Sequence, residues 1–246
     1  MKIFGDLHTH SKFSRFNHGK NTVEENIESA REKGLLYYGV SDHGPKHIFY
    51  GVSTKNLKKA RNIIDEYNKK QKELNVYLGC EANIVGKNGE IDLNNEQINL
   101  LDYIVVGYHK GTITNFVQFL FPKKTQKQIQ KNTKAYINCI NKYNVAFLSH
   151  LNTYIKVDVL TLAKECEKTN TCIEINTRHF NFSDDEMRDM LEKTNVKFII
   201  SSDSHRAKNI ANVDFALSVA EKYKIDKSRI VNFNEDYVPK FVNSRG

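Results

Sequence analysis

The residues of this chain with the clearest capacity for chemistry are histidines and carboxylates that recur just behind short apolar runs: Asp6-Leu7-His8-Thr9-His10, Ser41-Asp42-His43, Gly79-Cys80-Glu81, Gly107-Tyr108-His109, Ser149-His150 and Ser201-Ser202-Asp203-Ser204-His205. His8 and His10 are two residues apart, as are Asp203 and His205. In an extended segment such residues project to the same side, so each pair can grip one cation. His18 lies within reach in the loop that follows His10. Imidazole and carboxylate together suit zinc, manganese or iron, and the donors outnumber what one ion of about four to six ligands can take. Two or three divalent ions are therefore expected. A histidine taken singly, His109 for instance, is more often a hydrogen-bonded core or surface residue than a ligand. The recurrence of seven among nine histidines in this pattern outweighs that reading, because so many imidazoles buried without cations would leave costly unpaired nitrogens.

The neighbours of these residues divide more evenly. His47, after Gly44-Pro45, and His179, after Arg178, read as surface or substrate-facing. Asp42 reads either as a partner that orients an imidazole or as a simple turn residue. Cys80 reads as a buried structural thiol in preference to a nucleophile. Arg178, Arg206 and Lys110 each follow a predicted strand; the arginines could clamp a phosphate through two parallel hydrogen bonds and the lysine could add a point charge, or they are ordinary surface residues.

To bring such residues together, the intervening chain must be periodic. Short β-rich runs alternate with amphipathic segments throughout, the pattern of repeated βα units around a parallel sheet. Seven strands are predicted: Lys2 to Leu7, Leu35 to Ser41, Val76 to Cys80, Tyr103 to Gly107, Ala146 to Ser149, Thr171 to Ile175 and Lys197 to Ser201. The sixth runs into Glu174-Ile175-Asn176. Thr22-Val-Glu-Glu25 and Ser183-Asp-Asp-Glu186 are capping boxes that open helices, the first closed by Gly34. Further helices are predicted over Thr54 to Leu74, Thr125 to Lys142, Val157 to Lys168 and Lys208 to Lys222, and the tail after Arg229 is expected to add a strand. In closed parallel barrels the loops behind the strand ends build the active-site face, which is where the donors fall.

Bulk properties set the limits. At 246 residues, 39% hydrophobic and 27% charged, the chain suits a single globular α/β domain. Its longest apolar stretches are strand-sized, so no membrane span is expected. Polarity returns at Asp6 before a signal-peptide core could develop, and a cytoplasmic location is the default. Cys80, Cys139, Cys166 and Cys172 form no C-x-x-C pair and read as reduced and buried. The net charge of +8 suits anionic partners, but its lysines concentrate in Lys55 to Lys72 and Lys123 to Lys134, which look like solvated helix faces.

On these motifs the sequence resembles the PHP family, the polymerase and histidinol phosphatase domains, over essentially its full length. Asp-Leu-His8-Thr-His10, Ser-Asp-His43-Gly-Pro, Gly-Cys-Glu81, the isolated His109 and His150, Glu-Ile-Asn176 and Ser-Asp203-Ser-His205 recur in order. The segment between His10 and His18 is longer than in some members, and the match for His18 rests on the Gly-Lys-Asn-Thr22 lead into the capped helix. The resemblance implies a seven-stranded distorted TIM-like (β/α)7 barrel with three metals. One would be held by His8, His10, Glu81 and Asp203, a second by bridging Glu81 with His109 and His150, and a third by His18, His43 and His205. A metal-bridging hydroxide would then attack phosphorus while the cations bind the phosphoryl oxygens. The leading expectation is a phosphomonoesterase acting on a small phosphorylated metabolite, histidinol phosphate among the candidates. The enzymatic rival is an exonuclease or phosphodiesterase, since Gly86-Lys-Asn-Gly-Glu-Ile-Asp92 resembles the PHP modules of family X DNA polymerases and the chain is basic. A non-catalytic metal-binding module is the third reading. Substrate choice is assigned to the loops Lys46 to Thr54 and Lys110 to Lys124.

Overall fold

A computed structural model of the protein describes residues 1–71, 73–112 and 125–242. Most of the Lys110 to Lys124 loop, residues 113–124, lies outside the described residues. Seven strands succeed one another in space as they do in sequence: β1 (Gly5–Asp6), β2 (Tyr37–Val40), β3 (Asn75–Asn83), β4 (Tyr103–Gly107), β5 (Val145–Leu148), β6 (Cys172–Asn176) and β7 (Phe198–Ser201). Every neighbouring pair is parallel. Parallel neighbours need crossover connections, and these carry α1 (Val23–Glu32), α2 (Thr54–Lys70), the short α3 (Asn95–Ile98), α4 (Gln126–Lys142), α5 (Val159–Thr169) and α6 (Asp184–Lys193), with α7 (Asp214–Lys222) after β7. Both expected capping boxes are present, and Gly34 (φ +68°) turns the chain out of α1.

The alternation of side chains along the strands divides the core in two. Tyr103 and Val105 join Leu7, Tyr37, Phe147 and Ile199 inside the barrel, whereas Ile104 and Val106 face the helices. The same period places Cys80 and Ala82 in the outer core and leaves Glu81 and Asn83 on the opposite, inner face of β3. Cys80 donates its thiol hydrogen to the Asp42 carbonyl (3.2 Å), and all four cysteines are free and buried.

Three expectations need correction. β3 does not stop at Cys80: Glu81, Ala82 and Asn83 continue the ladder against Val105, Val106 and Gly107. A carboxylate ended the apolar run in the sequence without ending the strand. The helix expected from Lys208 begins only at Asp214, because the Ala211 N–H is drawn to the Asp6 carboxylate (3.0 Å) and Ala211 adopts φ +56°. Among the described residues the tail after Arg229 adds no strand; a 3-10 turn at Lys227–Arg229 leads into it, another follows at Val231–Phe233, and one isolated bridge joins Ile230 to Phe198.

That tail nonetheless closes the barrel. β1 and β7 make no ladder with each other; at one end Thr9 and Ser204 form an isolated parallel bridge, and at the other Asn232 fills the gap. Its buried side chain donates to the carbonyls of Gly5 (2.9 Å) and Ile200 (2.6 Å) and accepts from the Ile200 N–H (3.1 Å), while its own carbonyl accepts from the Phe4 N–H (2.9 Å). One residue thus does the hydrogen bonding of a short strand. Among the described residues no helix is long and apolar enough to cross a membrane.

Asn232→Ala would strand three buried backbone groups and should cost about 3 kcal/mol of stability. Urea denaturation should show a lower midpoint with an unchanged slope; an unaltered midpoint would mean that Asn232 does not latch the barrel.

Candidate metal centre

The strands deliver their donors to one rim. Glu81, at the inner face of β3, is fully buried, and its Oε1 lies 2.8 Å from His150 Nε2, 3.2 Å from His109 Nε2 and 3.3 Å from His8 Nε2. Its Oε2 lies 2.9 Å from His43 Nδ1 and 3.8 Å from His10 Nε2. Asp203 approaches from the opposite side, with Oδ1 3.4 Å from His10 Nε2 and 4.0 Å from His8 Nε2. His205 packs its ring 4.4 Å from that of His10, and its Nε2 is 2.6 Å from His18 Nε2. His150 (φ +26°) and Asp203 (φ +49°) adopt left-handed backbone just beyond β5 and β7. Such strained conformations persist where surrounding contacts enforce them.

These atoms fit divalent cations better than they fit one another. Both oxygens of Glu81, Nε2 of His8, both ring nitrogens of His10 and Nδ1 of His43 are buried without a hydrogen-bond partner among the described residues. Leaving so many polar atoms unpaired is expensive. Ligands on one ion at about 2.1 Å stand about 3.0 to 3.4 Å apart, close to the 2.8–3.3 Å that separates the Glu81 oxygens from the nitrogens of His150, His43, His109 and His8. Four triads have ligand atoms all within 4.8 Å of one another: His8, His10 and Asp203; His8, Glu81 and His150; His43, Glu81 and His109; and His10, His43 and His205. His43 and His205 therefore group with His10, and His18 reaches them through its contact with His205.

A second layer fixes the rings. Glu174 on β6, to which the sequence reading assigned no role, takes a hydrogen bond from His8 Nδ1 (2.6 Å), and its other oxygen accepts from the His150 N–H (2.6 Å). With Nδ1 donating, His8 presents the Nε2 lone pair to the centre. A carboxylate at an inward position beside Asn176 was the available sequence clue. Asp42 does something other than orient His43: it accepts from the Ser11 N–H (2.7 Å), the Ser11 hydroxyl (2.6 Å) and the Ser14 hydroxyl (2.5 Å), pinning the loop between His10 and His18. It stays 4.0 Å from His10 Nδ1.

Above the rim lies a cavity of about 440 Å³. Arg178 and Lys110 line it; Arg206 is exposed and is not among the lining residues. Arg178 Nη1 contacts His205 Nδ1 (2.5 Å) and the Asp203 carbonyl (3.1 Å), and the Lys110 ammonium sits 5.4 Å over the Tyr154 ring. His47 and His179 also face the cavity. His47 is buried, so of its two readings the structure favours the cavity-facing one over the surface one: the loop that carries it pairs with Thr112, and its ring stacks on Tyr50.

Burial governs the protonation of the rings. It holds His18, His47 and His205 down to about 4 and His10 and His43 well below the usual imidazole range. Burial alone would raise the Glu81 carboxyl, but the imidazoles of His109, His8, His43 and His150 outweigh it and keep the group ionised. Burial likewise works against Glu174, which the His8 ring brings down to about 2. His8 and His150 go the other way: burial would lower them, but the carboxylates of Glu81 and Glu174 raise both. Imidazole ligates a metal in its neutral form, so a bound cation would take the place of those protons.

Comparison with known proteins gives the family and the fold. The family model for the PHP domain matches residues 6–181. A probable phosphatase of Clostridium acetobutylicum is 30% identical, with 100% of this chain and 97% of the relative covered. A probable phosphatase of Shewanella loihica is 28% identical over 100% of this chain and 96% of its own length. Among solved structures, the histidinol phosphate phosphatase of Lactococcus lactis, complexed with zinc, L-histidinol and phosphate, shares the fold with a TM-score of 0.63 at 14% identity, covering 92% of this chain and 95% of that one. The putative histidinol phosphatase of Listeria monocytogenes gives 0.56 at 16% identity, covering 84% and 97%.

Acid should expose the buried imidazoles. The unfolded chain takes up protons near pH 6.5 that His10, His18, His43, His47 and His205 refuse until lower pH, so stability should fall as pH drops from 6.5 towards 4. Asp6, Asp42 and Asp92, raised by burial, offset only part of this. Calorimetry of chelator-treated protein should show Tm falling across that window, and added zinc or manganese should raise Tm at neutral pH. A Tm indifferent to both would remove the metal centre.

Proposed function

The chain belongs to the PHP domain family, and from that premise we propose that it is a metal-dependent phosphatase that cleaves phosphomonoesters of small metabolites, histidinol phosphate among the candidates. The observation that carries this reading is Glu81, a buried carboxylate with four imidazole nitrogens 2.8–3.3 Å from its oxygens and, among the described residues, no hydrogen bond of good geometry to satisfy it. We assign His8, His10, Glu81 and Asp203 to one ion, Glu81, His109 and His150 to a second, and His43 and His205 with His18 to a third. Such ions, when bound, would neutralise phosphoryl oxygens and acidify water at the site.

The remaining residues bind and orient. Arg178, with its side chain 47% exposed, reaches over Asp203 into the cavity and can meet a phosphate with its planar donors. Lys110 faces it from the rim after β4 as a point charge. Phe49, Tyr50 and Tyr154 supply flat apolar wall above the polar floor, and a cavity of about 440 Å³ holds a small metabolite with its phosphate on the donors. Gly107 keeps this floor open, because a Cβ there would fall 2.4 Å from Ser149 Oγ and 3.1 Å from the His109 ring.

Protein loaded separately with zinc, manganese or iron should release phosphate from p-nitrophenyl phosphate and from a subset of phosphorylated metabolites without shortening single-stranded DNA. Nucleotide loss from DNA without monoesterase activity would instead establish the nuclease reading. His8→Ala and Asp203→Ala should each lower kcat/KM by at least about 10³-fold, or about 4 kcal/mol, while circular dichroism stays native. Wild-type turnover in either would count against its role. Arg178→Ala should raise KM about tenfold with kcat little changed if it grips substrate and transition state alike; unaltered kinetics would exclude it from the site.

A further inference from the structure

The Gly86 to Asp92 segment lines no part of the cavity, yet it sends a carboxylate to Asn83, the residue behind His109. It folds back as a tight turn, with the Val85 N–H donating to the Glu90 carbonyl (2.8 Å), Gly89 at φ +79° and an isolated bridge between Ile84 and Ile91. Asp92 ends the turn and is buried. Its Oδ1 accepts from the Asn83 backbone N–H (2.8 Å), and its Oδ2 accepts from the Lys46 N–H (3.1 Å) and lies 2.6 Å from Asn83 Nδ2.

These contacts settle which way the Asn83 amide points. A carboxylate already receiving two N–H groups takes a third donor at 2.6 Å, so the NH₂ end of Asn83 faces Asp92 and its Oδ1 faces His109 Nδ1 at 2.6 Å. An acceptor at that position requires Nδ1 to carry the hydrogen. His109 Nε2 is thereby left as a lone pair, aimed at Glu81 Oε1 at 3.2 Å.

We propose that Asp92 and Asn83 are positioning residues, a carboxylate–amide relay that locks His109 in the tautomer whose Nε2 can hold a cation. The relay plays for His109 the part that Glu174 plays directly for His8, and it rests on the reading of His109 as a metal ligand. The same carboxylate also fixes the cavity loop after β2: it accepts from the Lys46 N–H, and a Cβ on Gly44 would fall 2.2 Å from Asp92 Oδ1. Orienting partners of this kind commonly control metal affinity by about 10- to 100-fold.

The test uses full-length protein, stripped with chelator and titrated with zinc, in three variants. In Asp92→Asn the new amide can donate to Asn83 Oδ1, so the Asn83 amide can turn over and present NH₂ to His109. Zinc affinity should fall about 10- to 100-fold, and long-range ¹H–¹⁵N spectra should show His109 leaving the Nδ1–H form. Asn83→Asp sets two carboxylates against each other and should also weaken binding. Combining Asn83→Asp with Asp92→Asn restores a donor-to-acceptor chain that ends on Nδ1–H, and should recover at least tenfold of the loss even if a single variant is poorly folded. Wild-type zinc affinity and tautomer in Asp92→Asn, or a double variant no better than the weaker single one, would overturn the relay. Wild-type protein that takes up no zinc would instead overturn the metal-dependent function on which it rests.

Discussion

A carboxylate buried among imidazoles, with neither oxygen hydrogen-bonded, is the constraint around which this molecule is arranged. Glu81 could not stay ionised in such a place without the four rings that surround it. Those rings could not be packed so closely without anionic oxygens between them. Each half of the arrangement makes the other tolerable, and cations would satisfy both. This explains why the residues come from widely separated parts of the chain: β3 contributes Glu81 from within its ladder, and β1, β2, β4, β5 and β7 each contribute a residue just past the strand end. A parallel barrel is suited to this, since it presents every strand end to one rim.

Holding that rim requires the barrel to be shut between its first and last strands, where the backbone ladder fails. β1 pairs with β2 over only two residues and makes no ladder with β7. Closure is delegated to side chains: Asn232 at one end, and near the site Asp6, which accepts from the Ser202 hydroxyl (2.5 Å) and the Ser202 N–H (3.3 Å) while also drawing in Ala211. The His8/His10 segment and the Asp203/His205 segment are thereby tied together independently of any metal, by the Thr9 to Ser204 bridge and the Asp6 contacts. The donors can thus be largely positioned before a cation arrives.

What the sequence could reveal follows from these same physics. The seven strands and their order were legible because burial on both faces of a barrel strand makes short apolar runs, such as Tyr103–Gly107, stand out between amphipathic helices. The gathering of these side chains at one rim was legible because imidazoles and carboxylates directly behind apolar runs are otherwise hard to account for. Residues whose part is set by a few hydrogen bonds to distant backbone or side chains were not: Asn232 looks like any tail asparagine, and Asp92 like any residue leaving a turn. Asp42 shows the opposite error. Its place beside His43 suggested an orienting partner, but its hydrogen bonds go to Ser11 and Ser14, and adjacency in sequence gives no direction to a side chain at a strand end.

The unexpected length of β3 ties these points together. Had it ended at Cys80, Glu81 would sit on a loop, free to retreat from the imidazole rings or to find water. Because the ladder continues to Asn83 against β4, Glu81 and Asn83 occupy successive inward positions of one rigid strand. The first faces the imidazoles of His8, His43, His109 and His150, and the second meets only the far nitrogen of His109. His109 leaves the end of β4, the strand paired with this part of β3. Its two nitrogens therefore contact two residues of β3 spaced by the pleat, Nε2 to Glu81 and Nδ1 to Asn83. The orientation of the ring is set by the register of two strands, which is harder to disturb than the rotamer of any side chain on a loop.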